Sequence, residues 1–286
     1  VPELPEVETI VRDLAPHVAG RTIRHPQIHR PDTLRGVTRR TLVAGLTGRR
    51  IQEVTRRAKH IVFLMDSGRR LLIHLGMTGS LLVRRGALTA DQERYAVLTA
   101  SLGRRETLLF RDVRRLGTIH LLDEAAWKAY TGRIGAEPLD PSFDVSRFHA
   151  VLRSSTQAVK KVIMDQRKVA GVGNIYANEA LFRAGIDPSR RADRIPEPAA
   201  ARLHAAVRAV LAEAIAGRGT TVRDYRTGTG QAGTFQFALD VYGRGGQPCV
   251  RCGSRLATTH AIDGRSTTFC WRCQGDRVAR EPRRGR

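Results

Sequence analysis

Four cysteines, the only ones in the chain, fall as two close pairs, Cys249 with Cys252 and Cys270 with Cys273, and 17 residues separate the pairs. A two-residue spacer closes each pair into a tight knuckle. The longer spacer suffices for a β-hairpin that returns the second pair to the first, so one tetrahedral ion can collect all four thiolates. The spacing predicts one structural zinc ion. The opposing reading is two disulfides or four buried free thiols; oxidised frameworks belong to small exported domains, and no secretory apolar segment is expected at the start of this sequence. A second stretch is Gly171, Val172, Gly173 and Asn174, set just after Lys160, Lys161, Arg167 and Lys168. Two glycines between helices make a turn whose N–H groups can converge on a phosphate, with Asn174 at the next helix start. No strand precedes it and no Lys-Ser/Thr pair follows, which argues against a nucleotide cradle and for a grip on a nucleic-acid backbone.

Composition supports such a partner. The chain carries 49 Lys plus Arg against 27 Asp plus Glu, a formal net charge of +22, and nucleic acid is the default partner for that excess. Residues 1–132 and 133–286 are both strongly basic, at +10 and +12, as in a two-lobed clamp on DNA. No apolar run of membrane-spanning length is present, so no membrane partner is expected.

The elements that must position these groups are readable in outline. Leu4, Val7, Val11, Leu14 and Val18 recur on one helical face, with Pro2 expected in the first turn. Short apolar or alternating runs at 51–57, 61–65, 70–75, 81–83, 95–99, 107–110 and 118–122 predict an antiparallel β domain. Helices are expected at 145–153, 156–165, 174–184 and 198–216. The fold class is therefore α+β, divided into an N-terminal β domain (1–132), a linker (133–144), a helical DNA-binding domain (145–236), a four-cysteine finger (237–276) and a basic tail (277–286) expected to be disordered.

The opening PELPEVET (2–9), HLGMTG (74–79), GVGNIY (171–176) and the four cysteines, in this order, resemble the formamidopyrimidine-DNA glycosylase family more than the related endonuclease VIII branch. The resemblance implies an N-terminal β-sandwich flanked by helices, a helix-two-turn-helix bundle and a β-hairpin zinc finger, with DNA between the halves. It also implies a bifunctional glycosylase/AP lyase that excises 8-oxoguanine and formamidopyrimidines from duplex DNA through an N-terminal proline imine and β,δ-elimination. Oxidised pyrimidines as substrates, or a non-catalytic damage-binding role, are the alternatives. The chemistry is sensible in itself: an α-amine titrates near pH 8, well below lysine, so a free Pro2 nitrogen is a competent nucleophile at neutral pH. Glu3, beside it, can move protons; its other reading, and that of Glu6, is helix capping. The resemblance makes Glu3 catalytic, Glu6 supporting and Lys59 an assisting contact to the phosphates at the lesion. It assigns Met77 to the vacated base stack, Arg114 to the orphaned base, Leu116 to a wedge position usually held by phenylalanine, and Arg265 to a phosphate beside the lesion; Lys161 and Asn174 join the DNA contacts. Residues 219–225 and 227–234 match a segment that closes over a flipped purine. Val1 is expected to be an initiator position removed before Pro2, since an acylated proline nitrogen cannot attack. The protein is expected to be a cytoplasmic bacterial monomer that associates with the nucleoid.

Overall fold

The computed structural model describes residues 2–220 and 234–275; Val1, 221–233 and 276–286, and with them the expectations for the start of the chain, most of the closing segment and the tail, lie outside the described residues. The described residues form two compact units, one of 2–134 with 213–220 and 234–237, the other of 135–212 with 238–275.

In the first unit, α1 (Leu4–Val18) buries Leu4, Val7, Ile10, Val11, Leu14 and Val18, the stripe that the three-and-four spacing predicts. Pro2 precedes the helix rather than sitting in its first turn: Glu3 is the N-cap, and Pro5 takes the early position where a missing N–H is harmless. The chain continues through β1 (Arg24–Ile28), α2 (Arg39–Leu46), β2 (Ile51–Arg57), β3 (His60–Met65), β4 (Arg70–His74), β5 (Gly79–Arg85), α3 (Ala90–Arg94), β6 (Ala96–Gly103), β7 (Glu106–Asp112), β8 (Thr118–Leu122) and α4 (Glu124–Thr131). The strands make two antiparallel sheets of order β1-β6-β7-β5 and β2-β3-β4-β8. Ile61, Phe63, Leu71 and Ile73 of one sheet share a core with Leu81, Val97, Leu108 and Phe110 of the other and with the buried stripe of α1.

In the second unit, α5 (Val145–Arg153) and α7 (Asn174–Ala184) have the expected ends, and α8 (Glu197–Ala216) begins one residue early. The helix expected over 156–165 is shorter, α6 (Val159–Met164). Its first part is held in extended pairing instead: Ala158 bridges Arg191, and the Val159 N–H donates to the Arg190 carbonyl at 2.7 Å. The finger follows as β9 (Ala257–Thr259) paired with β10 (Thr267–Phe269), then α9 (Trp271–Gln274). Phe182, Val241, Cys249, Leu256 and Cys270 form its small core.

Candidate active site and nucleic-acid interface

Pro2, Glu3 and Glu6 are all buried. The Glu6 carboxylate divides its two oxygens: Oε2 accepts the Glu3 N–H and Oε1 accepts the Thr220 N–H, both at 2.8 Å. One side chain thus fixes the backbone next to Pro2 and the residue that leads into 221–233. The same stretch is tied to α1 again by Arg218, whose Nη2 lies 2.9 Å from both Asp13 oxygens. Its neck is closed by Thr234 N–H to the Gly217 carbonyl and Phe235 N–H to the Gly219 carbonyl, at 3.0 and 3.1 Å.

Lys59 is half-buried in the β2–β3 turn, where Ala58 takes a left-handed φ of 52°. Arg56 braces this turn: its Nη1 donates to the Ala58 carbonyl at 2.9 Å, and its Nε donates to Glu8 of α1 at 3.0 Å. α1 therefore sets the position of both Glu3 and the turn carrying Lys59.

Behind that turn lies a histidine group that sequence reading did not single out. His60 and His74 are register partners on β3 and β4 with ring centroids 5.1 Å apart, and Tyr130 of α4 meets His60 edge-on. His60 Nδ1 faces the Arg57 carbonyl at 3.3 Å, so it carries the proton, and Nε2 accepts from the Tyr130 hydroxyl at 2.9 Å. His74 Nδ1 accepts the Gly76 N–H at 3.1 Å. Burial, then the neighbouring His74, hold His60 down at about 3. Burial, then the Lys59 charge, hold His74 at about 4. Both rings are neutral at working pH. Three histidines within one short antiparallel sheet, at 60, 74 and 120, were the available signal.

The expected wedge residues come together on two turns of this unit. Met77 and Leu116 are 42% and 46% exposed, unusual for large apolar side chains, and Arg114 Nη1 lies 3.6 Å from the Met77 sulfur. Buried Asp112, which sequence reading passed over, organises them: Oδ2 accepts the Gly117 N–H at 2.7 Å, while Oδ1 accepts from the Thr78 hydroxyl at 2.5 Å and the Arg114 N–H at 3.3 Å. Gly76, at φ +64°, lets the two turns touch, since a Cβ there would sit 2.6 Å from the Gly117 nitrogen. The backbone is fixed, and the side chains of Met77, Arg114 and Leu116 are exposed.

In the second unit the glycine turn is braced from within. Gln166 accepts the Gly171 N–H at 2.8 Å and donates to the Val172 carbonyl at 2.7 Å. The Gly171 N–H is therefore engaged within the turn. Asn174 is the first helical residue after the cap Gly173, and its Nδ2 donates to the Ser266 carbonyl at 2.9 Å, beside Arg265. Lys161 and Arg265 are exposed. Lys160, grouped by sequence with the phosphate-facing cations, is wholly buried: Nζ donates to Thr267 at 2.7 Å and lies 3.4 Å from Asp263, so it holds the finger hairpin. Two further α7 residues were missed. Buried Glu179 accepts three consecutive N–H groups, of Asp240, Val241 and Tyr242, at 2.7 to 3.0 Å, and Asn178 accepts the Thr268 N–H at 2.8 Å. Burial raises the Glu179 carboxyl, opposed by those three bonds. A carboxylate in the apolar run of α7 was the signal.

The four cysteine sulfurs lie within 4.8 Å of one another, with Cys249 to Cys273 at 3.9 Å and Cys252 to Cys270 at 3.5 Å. These are far beyond a disulfide bond and match the edge of a tetrahedron with metal–sulfur bonds of about 2.3 Å, about 3.8 Å. All four thiolates fit zinc.

A β-sandwich with Pro2 buried ahead of α1 and with Met77 and Leu116 exposed on two turns, together with a helical unit that carries a four-thiolate finger, fits a DNA-repair enzyme of the glycosylase class. Family models match in order along the chain: the formamidopyrimidine-DNA glycosylase N-terminal domain at 1–119, the formamidopyrimidine-DNA glycosylase H2TH domain at 134–226, and a zinc finger found in FPG and IleRS at 246–275. Formamidopyrimidine-DNA glycosylase of Thermomicrobium roseum is 42% identical over 96% of this chain and 99% of its own, and that of Alkalilimnicola ehrlichii 44% over 96% and 100%. A Lactococcus lactis FPG mutant solved with Fapy-dG containing DNA superposes with a TM-score of 0.88 at 34% identity, over 96% of this chain and 100% of that one. The FPG protein of Thermus thermophilus superposes at 0.85 and 41%, over 96% and 99%. The chain belongs to the formamidopyrimidine-DNA glycosylase family of bifunctional glycosylase/lyase enzymes.

Proposed function

We propose that Pro2 is the nucleophile with which this chain removes oxidised purines, 8-oxoguanine and formamidopyrimidines, from duplex DNA and then cuts the strand. The observation that carries the reading is the clamp at Glu6, which holds the Glu3 backbone beside the buried Pro2 and ties it to Thr220. The relatives solved with Fapy-dG DNA and with abasic-site DNA are consistent with this substrate class. The unprotonated Pro2 nitrogen bonds to sugar C1′ as the bond from C1′ to the base breaks, and the base leaves with a proton. Glu3 protonates the opening sugar ring. The resulting iminium makes a C2′ proton acidic; its removal expels the 3′ phosphate, and a second elimination expels the 5′ phosphate. Lys59 neutralises phosphate beside the reacting sugar, Met77 fills the space left by the extruded base, Arg114 bonds its orphaned partner and Leu116 wedges the opposite strand. Lys161, Asn174 and Arg265 hold backbone phosphates, and the enzyme acts as a monomer on chromosomal DNA in the cytoplasm.

The test is borohydride reduction during reaction with duplex DNA containing 8-oxoguanine opposite cytosine, followed by peptide mapping. The adduct is expected on Pro2, on a chain from which Val1 has been removed. An adduct on Lys59, or full activity with Val1 retained, refutes the assignment. Glu3→Gln is expected to lose base release and keep strand cleavage at a preformed abasic site.

A further inference from the structure

Two adjoining hollows lie on the first unit away from the groups above. One, of about 440 Å³, is lined by Thr38, Thr41, Arg69, Leu121 and Asp123 among others; the other, of about 530 Å³, by Arg40, Thr41, Gly45, Arg49, Ser67 and Arg69 among others. Thr41 and Arg69 line both, so the two make one groove along α2. Arg69 belongs to the β3–β4 turn. Register between these strands runs from His60↔His74 to Leu64↔Arg70, which puts the turn at the far end of the sheet from Lys59 and Met77. At about 3.4 Å per residue the separation is on the order of 15 Å.

The groove is a concentration of donors. Arg40, Arg49 and Arg69 are exposed, and among the described residues no carboxylate lies in ion-pair range of any of the three. The lining carboxylate, Asp123, has one oxygen accepting the Ala126 N–H at 2.9 Å as the cap of α4. Thr38, Thr41 and Ser67 add hydroxyls. Arg69 is also seated: a Cβ on Gly45, inside α2, would lie 3.2 Å from its Nη1 and 2.5 Å from Leu121. A glycine within a helix costs about 1 kcal/mol against alanine, and here the bare backbone makes room for the guanidinium and for Leu121.

Guanidinium forks and hydroxyls are the donor set that phosphate oxygens take. A peptide would bring N–H groups that need acceptors, and the groove offers guanidiniums and hydroxyls rather than a free strand edge. We propose that this groove binds the phosphate backbone of a second DNA segment while the first unit's lesion site holds another. The word second rests on the function proposed above; the phosphate chemistry of the groove does not. Two simultaneous grips let the enzyme pass between duplex segments without full release.

The zinc-loaded full chain is saturated with a short duplex carrying a tetrahydrofuran abasic analogue, then titrated with a fluorescein-labelled undamaged duplex across a salt series. The labelled duplex is expected to bind. Arg40→Gln/Arg49→Gln/Arg69→Gln is expected to weaken that binding about tenfold or more at low salt and to flatten the log K against log salt slope by up to about 2.7, the value for three lost phosphate contacts. Its melting temperature and its rate of base release from a short 8-oxoguanine duplex stay at parent values. Arg24→Gln/Arg104→Gln/Arg105→Gln, an equal charge loss on the other sheet, is expected to change little. Failure of the parent to bind the labelled duplex, or equal losses in the two triple variants, overturns the proposal. So does a hexaglutamate peptide that displaces the labelled duplex from the groove of the parent, since the occupant is then acidic protein. Failure of the abasic-analogue duplex itself to bind would instead count against the proposed function, and is read separately in the first step.

Discussion

Acidification from pH 7 to pH 5 is expected to destabilise the first unit by about 2–4 kcal/mol through His60 and His74 alone. Their rings are held near 3 and 4, against an ordinary 6.5. In this window the folded protein keeps both imidazoles neutral, while the unfolded chain protonates them as pH falls through 6.5. The unfolded state therefore binds more protons, and stability falls with falling pH. Between pH 7 and pH 5 each freely titrating unfolded histidine gains about 1.4 pK units of linkage, or about 2 kcal/mol. The two rings are 5.1 Å apart and do not titrate independently, hence the range. The loss continues until pH reaches the folded values, where the native imidazoles take up protons too. Urea melts from pH 7.5 to pH 5 test this, followed by fluorescence of Trp127 in a Trp271→Phe background so that the first unit reports alone; the chain has no other tryptophan. His60→Phe/His74→Gln is expected to be less stable at pH 7 yet markedly flatter with pH. An unfolding free energy unchanged between pH 7 and pH 5 in the parent, or an equally steep loss in the double variant, refutes the reasoning.

Elemental analysis is expected to give about one zinc per chain, and Cys270→Ser to abolish both metal retention and lesion-specific binding while the Trp127 unfolding transition persists; specific binding by a metal-free variant would refute the link. Glu6→Ala orphans two buried N–H groups, at about 1–3 kcal/mol each, so its unfolding free energy is expected to drop by at least about 2 kcal/mol and base release to slow; a loss under about 0.5 kcal/mol would show that the clamp is dispensable. Leu116→Phe supplies a ring that can stack between bases and is expected to increase the fluorescence of an analogue base beside the lesion, or shift opposite-base preference, without changing zinc content; an unchanged signal would mean that leucine wedges adequately.

Where periodicity and turn chemistry agreed, the sequence was legible: the buried stripe of α1, the ends of β2, β8, α5 and α7, and the four-thiolate finger all follow from it. The losses have local causes. β1 carries Pro26 and a bulge in which His25 takes φ 47°, so neither its composition nor its alternation reads as a strand. The helical pattern of α2 is broken by Gly45, whose reason is the approach of Leu121 and Arg69 from elsewhere in the chain. Lys160 looked like its neighbour Lys161, and a helix pattern cannot say which of two adjacent cations turns inward to Thr267, more than a hundred positions away. For the site, motif positions were readable, but the supports were not. Asp112, Asn178, Glu179 and the His60–Tyr130 pair act through contacts distant in sequence or through backbone groups.

The wedge turn separates its staging from its lettering. Asp112, Thr78, Gly76 and Gly117 secure the backbone on both sides, while Val113, Arg114, Arg115 and Leu116 extend outward with almost no packing to satisfy. Substitutions at those four positions are expected to leave the supports undisturbed, since exposed side chains away from such supports alter stability by only about 0.5 kcal/mol. On the role proposed for Arg114 and Leu116, what this turn offers to DNA can therefore be rewritten by single replacements that folding hardly registers, and the leucine at 116 is one such replaceable letter.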